Sequence, residues 1–500
     1  MKKHTQKIAA VLVATALGTT SLPFAVMNVQ AAADTKAAVT APAGNQSIEA
    51  AVKALIQLGV LHGYEDGSMR EQNQITRAEL AKMVLLTFGL QGKADKPAQL
   101  SDVSADAWYY SYANDAVGQG IMAADNGKFN PAATVTGDEI IQTVSKALKR
   151  DVKSLQHWMG QSYAASKTIT RGETAVLLQT AHQAIPSENA KITSVKSLNA
   201  ITLIVTFDAP LTSANEAFDK AKADFAFNDG LTLTNMPRLK TGSVATYIVP
   251  TSVQKAGTTY NLTYKGAQVG TFTGNETKLD MTETRQVTND TFEIEALKAN
   301  GVVDYGYIIS AYSGGRGANA FVMNDDNTAD GKSYQVISSM QARQVTITPE
   351  GGQPIVAKYV PFTQSTDGKQ EPKFRLPEGQ VLTPGVKYTV TSDWANIANP
   401  TFVAKEFAAL QLSGAEAVSA TSINVSLTQD PGDELFSGRS VELTAPNGDK
   451  LTATYKYSSR KGAVGVFDLQ KDAKLVSGTA YTVTPVGAWA TSSAVTLTAK

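Results

Sequence analysis

The 500-residue chain contains no cysteine, which excludes disulfides, thiolate zinc sites and thiol catalysis. Histidine is nearly as scarce: beyond the N-terminal segment only His62, His157 and His182 remain, and their spacing is not that of metal ligands. No G-x-S-x-G motif is present. A pair of carboxylates for glycoside hydrolysis could not be recognised in a sequence, because such residues meet only in space. Since the other catalytic motifs are absent, we expect a protein that is not an enzyme.

The chain also lacks net charge, because its 45 basic residues balance its 45 acidic residues. This balance gives no indication of the basic surface that binds nucleic acid, so we expect no nucleic-acid partner. A hydrophobic content of 43% is ordinary. A chain of this length can therefore bury several cores, and we expect about three or four domains.

Long hydrophobic runs are missing as well. The apolar stretch at residues 8–17 is short for crossing a bilayer, and no later segment reaches transmembrane length. Three lysines come before this stretch and the small residues of "VQA" follow it, so residues 1–31 are predicted to be a signal peptide. We expect secretion, with no membrane insertion after cleavage. A multidomain exported protein without disulfides suits a Gram-positive cell surface.

Composition divides the chain into a helical part and a Thr/Val-rich part. An Ala/Thr/Pro-rich spacer at residues 32–44 leads into apolar residues at helical spacing, and the helical signals stop at Pro186. Gly67 and Gly127 each lie eight residues before a similar hexapeptide, and this matched register indicates an internal repeat. The third copy is shorter and has lost the glycine turn. We place the three units at residues 45–90, 99–150 and 151–186.

The hexapeptide reads "ITRAEL" at 75–80, "VTGDEI" at 135–140 and "ITRGET" at 169–174. A Thr followed three residues later by Glu predicts a capping box, in which the two residues satisfy free N–H groups at a helix start. Folding therefore explains the Thr and the Glu, but not the residue that follows the Thr, which is Arg77, Gly137 or Arg171. The three predicted boxes are Thr76 with Glu79, Thr136 with Glu139, and Thr170 with Glu173.

These motifs, together with "LSDVSADAWYYSYANDAV" at the start of the second unit, resemble the S-layer homology repeat of Gram-positive bacteria. The resemblance covers roughly residues 45–185. It implies a pseudo-threefold helical bundle whose grooves bind secondary cell wall polysaccharide, often ending in a pyruvylated amino sugar. A pyruvate ketal exposes a carboxylate, which a guanidinium at a helix start can bind through two parallel hydrogen bonds.

By motif position, the resemblance implies that Arg77 and Arg171 bind this carboxylate. Gly137 takes their place in the second unit, where a neighbour such as Lys128 is a possible substitute. The alternative for both arginines is a solvated residue paired with a nearby acid. One damaged groove and one or two working grooves are therefore expected.

Four further residues are candidates for sugar contact, because aromatic rings suit the apolar face of a sugar and carboxylates accept its hydroxyls. Trp108 and Tyr109 have core packing as their alternative. Asp102 would instead cap the helix that follows it. Tyr64 belongs to "GYEDG", which is also typical of a tight turn that uses glycine at positive φ.

Alternating Thr/Val-rich segments after residue 187 predict strands, and a Gly/Tyr turn recurs at Tyr260, Tyr388 and Tyr481. These segments resemble the bacterial immunoglobulin-like modules found behind S-layer homology domains, although without cysteine they cannot have the antibody-type bridge. The predicted fold class is multidomain: an N-terminal all-α bundle of three S-layer homology repeats, followed by about three all-β sandwich modules. The predicted modules span residues 187–277, 278–410 and 411–500.

The middle module is the longest and contains two segments rich in glycine or aspartate. Asp326, Thr328, Asp330 and Gly331 have the spacing of a calcium loop, but no Glu occupies the closing position of an EF-hand. A polar turn is preferred, and calcium held by Asp326 and Asp330 is the alternative; no other cofactor is expected. "SGGRG" at 313–317 lacks the Lys-Ser/Thr of a phosphate loop and favours a flexible hairpin.

The sequence thus favours a secreted structural protein of the S-layer type. Its repeats would bind a pyruvylated wall polysaccharide, and its β modules would self-associate into a two-dimensional lattice. Near-zero net charge is compatible with dense packing, because little self-repulsion opposes contact. The alternative is an adhesin or binding protein that uses the same anchor and forms no lattice.

Overall fold

The computed structural model describes residues 47–295, 301–306, 322–361, 371–432, 435–493 and 495–500. The predicted signal peptide, the spacer and the "SGGRG" segment lie outside the described residues. Within the described ranges, no helix is long and apolar enough to cross a membrane.

Helices form the N-terminal part of the described chain, two in each predicted unit. Their buried apolar residues belong to one hydrophobic core. A 3-10 turn at Gly160–Ser162 follows the fifth helix. The helices are α1 Ile48–Gln57, α2 Arg77–Thr87, α3 Tyr110–Gly118, α4 Gly137–Leu148, α5 Val152–Met159 and α6 Arg171–Gln183.

The three hexapeptides meet in a closed ring of backbone hydrogen bonds. The N–H of Ile75 donates to the carbonyl of Ile169 (3.0 Å), that of Ile169 to Val135 (3.0 Å), and that of Val135 to Ile75 (3.1 Å). All three side chains are fully buried. This cyclic pattern relates α2, α4 and α6 by a pseudo-threefold axis, as the family resemblance implied.

Strand group 1 follows the helices and forms two sheets, with strand orders β1-β2-β5-β4 and β3-β6-β7. Two short helices, α7 Ser213–Glu216 and α8 Phe218–Asp224, connect β2 to β3 and were not indicated by the Thr/Val pattern. The strands are β1 Ile192–Asn199, β2 Thr202–Phe207, β3 Phe225–Phe227, β4 Arg238–Leu239, β5 Thr246–Pro250, β6 Thr259–Tyr264 and β7 Ala267–Thr273.

Strand group 2 contains an eight-stranded sheet of order β18-β8-β9-β16-β15-β14-β17-β19, together with two separate strand pairs, β10-β13 and β11-β12. Its strands are β8 Leu279–Gln286, β9 Thr291–Glu295, β10 Val302–Asp304, β11 Thr328–Ala329, β12 Lys332–Ser333, β13 Gln335–Ile337, β14 Gln344–Pro349, β15 Ile355–Tyr359, β16 Lys373–Arg375, β17 Lys387–Thr391, β18 Ala395–Asn399 and β19 Thr401–Val403.

Strand group 3 forms another eight-stranded sheet, of order β26-β20-β21-β24-β23-β22-β25-β27. Alternation shapes these strands: along β21 the side chains of Ile423, Val425 and Leu427 are buried and those between them are less so. The strands are β20 Leu410–Ser419, β21 Ser422–Leu427, β22 Ser440–Thr444, β23 Lys450–Tyr455, β24 Val464–Leu469, β25 Ala480–Pro485, β26 Ala490–Ser492 and β27 Thr496–Thr498.

The three strand groups share one topology. When the sheet strands of groups 2 and 3 are numbered from 1 to 8 in chain order, both sheets have the order 7-1-2-5-4-3-6-8. In both, strand 7 runs parallel to strand 1. Group 1 has the same order, interrupted between positions 4 and 3 and lacking position 7 among its described strands. The C-terminal region is therefore built from related β structures.

In each group, a buried tyrosine at the start of the sixth strand binds the loop that precedes it. Its hydroxyl accepts the backbone N–H of the residue five positions upstream, which is the tyrosine corner of β-sandwich domains. The glycine three residues before each tyrosine has positive φ, which turns the chain back. The pairs, donor first, are Lys255 and Tyr260 (2.9 Å), Thr383 and Tyr388 (2.9 Å), and Val476 and Tyr481 (3.0 Å).

Helix α5 joins the helical part to strand group 1. The indole N–H of the buried Trp158 donates to the carbonyl of Gly242 (2.7 Å), and the N–H of Gly242 donates to the hydroxyl of Ser154 (3.1 Å). Gly242 has a φ of +79°, and a Cβ there would lie 2.3 Å from a methyl group of Val322. Glycine is therefore required at this contact.

Candidate functional site

Each helix start contacts the loop of a neighbouring unit, and the variable residue of the hexapeptide lies in that contact. Nε of Arg77 donates to the carbonyl of Phe129 (2.7 Å), Nη2 to that of Ala123 (2.5 Å), and Nη1 forms an ion pair with Glu139. Burial lowers the pKa of Arg77, and the charge of Asp102 acts in the opposite direction. All three guanidinium nitrogens therefore have partners in the second unit.

Arg171 occupies the equivalent place between the third and first units. Nε donates to the carbonyl of Met69 (3.1 Å), and Nη1 pairs with Glu79 (2.7 Å). The hydroxyl of Tyr64 donates to the same Glu79 oxygen (2.7 Å), and the guanidinium carbon of Arg171 lies 5.1 Å from the centre of the Tyr64 ring. Within the part of the chain that the structure describes, Nη2 of Arg171 makes no hydrogen bond. One donor edge thus stays available.

The third contact, between the second and third units, has no arginine. A Cβ on Gly137 would lie 2.3 Å from the carbonyl oxygen of Ala164, so a larger residue would displace backbone. Lys128, the suggested substitute, carries its charge near Asp102, which belongs to the second unit's side of the Arg77 contact. Lys128 therefore does not replace an arginine at Gly137.

The predicted capping box is incomplete at α4. The hydroxyl of Thr136 accepts the N–H of Glu139 (3.3 Å), but the box lacks the return bond, and the Glu139 carboxylate pairs with Arg77. The prediction of a full box here was wrong: the Glu139 carboxylate pairs with Arg77 of another unit and, unlike Glu79, does not also bond the N–H of its own N-cap residue. The two complete boxes are Thr76 with Glu79 and Thr170 with Glu173.

An open groove of about 180 Å³ lies beside the Arg171 network. Trp108 lines it and is 57% exposed, so core packing was the wrong alternative for this residue. Nζ of Lys82 lies 5.7 Å from the centre of the Trp108 ring. Tyr64, Glu79 and Arg171 also line the groove. Aromatic rings and cations therefore border one solvent-exposed space, an arrangement suited to an acidic sugar.

Hydrogen bonding sets the charges around this groove. Burial alone would raise the pKa of Glu79, but bonds from the Thr76 N–H and the Tyr64 hydroxyl, with the charge of Arg171, hold that pKa below its ordinary value. Burial, reinforced by the bond to Glu79, raises the pKa of Tyr64. Glu79 is therefore ionised and Tyr64 neutral at neutral pH, and the positive charge of Arg171 is balanced within the network.

Lys82 and Glu79 are groove residues that sequence reasoning missed in this role. Glu79 was assigned to helix capping, which it performs with one oxygen while the other binds Arg171 and Tyr64. Lys82 follows Glu79 by three residues on α2, and this spacing places both on one helix face. The sequence therefore placed Lys82 beside Glu79, but only the tertiary contact with Trp108 shows that Lys82 borders the groove.

Two other candidate residues have structural partners. Asp102 accepts the backbone N–H groups of Phe129 and Asn130, both at 2.7 Å, and so holds the turn before the second hexapeptide. It does not cap α3, whose N-cap is Tyr109. Tyr109 is half-buried against the helical core and meets the Trp108 ring edge-to-face at 5.2 Å. Tyr109 thus supports the exposed indole.

The predicted calcium segment forms a tight hairpin between β11 and β12. Asp326 accepts a hydrogen bond from the Thr328 hydroxyl (3.1 Å), and Asp330 and Gly331 both have positive φ. Among the residues described, no three His, Cys, Asp or Glu side chains are grouped to hold a metal ion. The segment is a polar turn, and calcium at Asp326 and Asp330 stays a prediction.

A ring of three helical pairs with a groove between neighbouring units defines a helical repeat domain. Residues 45–81 and 99–141 match the family model of the S-layer homology domain. The chain therefore carries S-layer homology domains, as the repeated motifs predicted. The third unit lies outside the matched residues, although α6 completes the ring.

Over part of its length the chain is also similar to two curated bacterial proteins. The middle cell wall protein of Brevibacillus brevis is 34% identical over 148 residues, which is 29% of this chain and 14% of that protein. The surface layer protein of Brevibacillus choshinensis is 34% identical over 151 residues, which is 29% of this chain and 13% of that protein. The match thus spans only a small fraction of these relatives.

Solved structures give weaker likenesses. Domains 1–6 of the surface layer protein SbsC align over 83% of this chain and 64% of that one, with 13% identity and a TM-score of 0.14. The I9–I11 tandem of titin aligns over 62% of this chain and 98% of that one, with 11% identity and a TM-score of 0.17. TM-scores this low indicate neither a shared overall fold nor a shared function.

Proposed function

We propose that the helical repeats anchor the protein to an acidic polysaccharide of the cell wall, and that the Arg171 groove is the main binding site. The proposal rests on Nη2 of Arg171, which has no hydrogen-bond partner among the described residues, in the groove that the exposed ring of Trp108 also lines. A pyruvylated amino sugar, which the family resemblance implies, fits this chemistry: its carboxylate would bind Arg171 and Lys82, and its ring would stack on Trp108.

The other two contacts are poorer candidates. At Arg77 all three guanidinium nitrogens are already bonded within the protein, so a ligand would have to displace Glu139 or a backbone carbonyl. At Gly137 there is no cationic side chain from the helix start. We therefore expect one strong groove, a weaker one at Arg77, and none at Gly137.

For the C-terminal region we propose three immunoglobulin-like sandwich modules with a structural role at the cell surface, in or associated with an S-layer. The shared strand order and the three tyrosine corners support related modules. The names of the two Brevibacillus relatives support the location outside the cell and a role other than catalysis. Self-association into a two-dimensional lattice is the further part of this proposal.

The wall-binding proposal is tested by sedimenting the purified protein with cell walls, either native or stripped of secondary polysaccharide. We expect binding to native walls only, about a tenfold loss in Arg171→Ala or Trp108→Ala, and a smaller loss in Arg77→Ala. Lys146→Ala, an exposed substitution on α4, is the matched control and should bind normally. Equal binding to stripped walls, or a larger loss in Arg77→Ala than in Arg171→Ala, would contradict the proposal.

Electron microscopy of the purified protein tests the lattice. Ordered sheets would support an S-layer role. A monodisperse monomer, with and without calcium, would instead favour an adhesin that shares the same anchor.

A further inference from the structure

Two buried arginines occupy the same place in strand groups 2 and 3. Arg343 directly precedes β14 and Arg439 directly precedes β22, the third strand of each sheet. Each donates its backbone N–H to the residue three positions earlier, and each accepts an N–H from a tyrosine of the next strand. These partners are Met340 (3.0 Å) and Tyr359 (3.0 Å) for Arg343, and Phe436 (2.8 Å) and Tyr455 (2.9 Å) for Arg439.

Arg343 reaches from group 2 into group 1, across what we call joint 1. Its Nη2 donates to the carbonyl of Thr251 (2.9 Å), while Nε is held by the carbonyl of Ser339 in its own loop (3.0 Å). The hydroxyl of Ser338 donates to the carbonyl of Ile201 (2.9 Å), and Ile201 itself belongs to the hydrophobic core of group 2. Polar and apolar contacts therefore both cross this joint.

Arg439 reaches from group 3 into group 2, across joint 2. Its Nη1 and Nη2 bind the two oxygens of Asp290 at 2.6 and 2.7 Å, and both residues are only 6% exposed. A bond in the opposite direction crosses the same joint, from Nη1 of Arg375 to the carbonyl of Ser437 (2.7 Å). A two-point fork of this kind holds both the distance and the rotation between the groups it links.

We propose that Arg343 and Arg439 lock the strand groups into a rigid tandem, in which each group takes its position and rotation from the group before it. Tandem domains move relative to one another by default, unless their interface is large and well packed. Here a rotation at either joint would break directional bonds and leave a buried guanidinium without its partner, which is costly. The proposal concerns the joints alone and does not rest on wall binding or lattice formation.

Spin-label distances across the joints test this proposal, and the absence of native cysteine means that every label position can be chosen. Lys222→Cys with Lys358→Cys spans joint 1, and Lys358→Cys with Lys450→Cys spans joint 2; all three lysines are exposed. Pulsed electron paramagnetic resonance on the otherwise unaltered chain should give one narrow distance distribution for each pair. A broad or multimodal distribution in the unaltered chain would overturn the proposal at that joint.

Arginine variants then separate the two locks. Arg343→Gln should broaden the joint 1 distribution about twofold and leave joint 2 unchanged, whereas Arg439→Gln should do the reverse, because independent joints loosen separately. Each label pair is thus the folding control for the other. Should Arg439→Gln unfold group 3, Asp290→Asn opens the same fork from the group 2 side. A narrow joint 2 distribution in a folded Arg439→Gln or Asp290→Asn protein would show that the arginine is not the lock.

Discussion

Repeated units are joined in two different ways in this molecule. The helical units close a ring, so the third unit contacts the first and every hexapeptide is covered on both sides. The strand groups are joined in series, group 1 to group 2 at joint 1 and group 2 to group 3 at joint 2. Thr421 of group 3 corresponds to the buried Asp290 of group 2, because the carbonyl of each accepts the N–H of a leucine at the C-terminal end of the fifth strand. Unlike Asp290, Thr421 is exposed.

The two arrangements also differ in what holds them. Backbone bonds of Ile75, Val135 and Ile169 hold the ring at all three hexapeptides, although the neighbouring variable residue is arginine in two units and glycine in the third. Side chains hold the joints, and each joint is held by an arginine, Arg343 at joint 1 and Arg439 at joint 2. The ring therefore keeps the same backbone bonds while the variable residue differs between units, whereas each joint depends on one particular side chain.

Removing a joint arginine should have the largest effect. Arg439→Ala leaves Asp290 buried without its partner, and we expect a loss of about 3–5 kcal/mol in the free energy of unfolding. Arg343→Ala should cost less, because its partner across joint 1 is the neutral carbonyl of Thr251. Urea unfolding measures both, with the exposed Lys456→Ala as control. Equal losses would show that the charge of Asp290 does not distinguish the joints.

Breaking the ring at its tightest contact should rank second. In Gly137→Ala the new Cβ meets the Ala164 carbonyl oxygen at 2.3 Å, so backbone must move, and we expect a cost of about 1–3 kcal/mol. The control is Gly63→Ala, whose Cβ meets the flexible end of Met69 at 2.9 Å, while the nearest backbone atom, the Ser68 carbonyl oxygen, lies at an ordinary contact distance of 3.4 Å. Urea unfolding, monitored by far-ultraviolet circular dichroism, measures the stability of the helical part. If both variants lose the same stability, backbone approach is not what requires glycine.

The tyrosine corners test whether the strand groups behave alike. Tyr388→Phe and Tyr481→Phe each leave one backbone N–H without its partner, and we expect each to lose about 0.5–1.5 kcal/mol. Their bonds have similar lengths, 2.9 and 3.0 Å, so the two losses should agree. Thermal unfolding by calorimetry measures them. A loss of stability in only one of the two variants would mean that groups 2 and 3 share a topology but do not depend equally on the tyrosine corner.

The smallest expected effect is the pH dependence of the stability of the helical ring. The folded pKa of Glu79 lies below its ordinary value of 4.5, so the unfolded chain takes up the proton first. The contribution of Glu79 is complete above about that value and is lost as pH falls through the folded pKa. Urea unfolding between pH 7 and pH 3 should therefore show falling helical stability, with a weaker fall in Glu79→Gln. An unchanged slope in that variant would exclude Glu79 as a source.

Sequence reasoning performed best where the pattern was local and repeated. The hexapeptides predicted three helix starts, and the Gly/Tyr turns marked the three tyrosines that fasten the strand groups. It performed less well where a side chain has its partner in another unit. Glu139 has the capping spacing, yet its carboxylate pairs with Arg77 of another unit. The short helices α7 and α8 were missed because segments of this length carry little helical periodicity.

The repeats are visible in the sequence because similar motifs recur in it, and the helix caps and tyrosine corners are visible because they join residues three to five positions apart. The tertiary structure was needed to show which arginine is saturated, which ring is exposed and how the strand groups are locked. Those outcomes depend on partners such as Phe129 for Arg77 and Asp290 for Arg439, which are 52 and 149 positions away. Contacts over such separations follow from packing, for which a local pattern contains no signal.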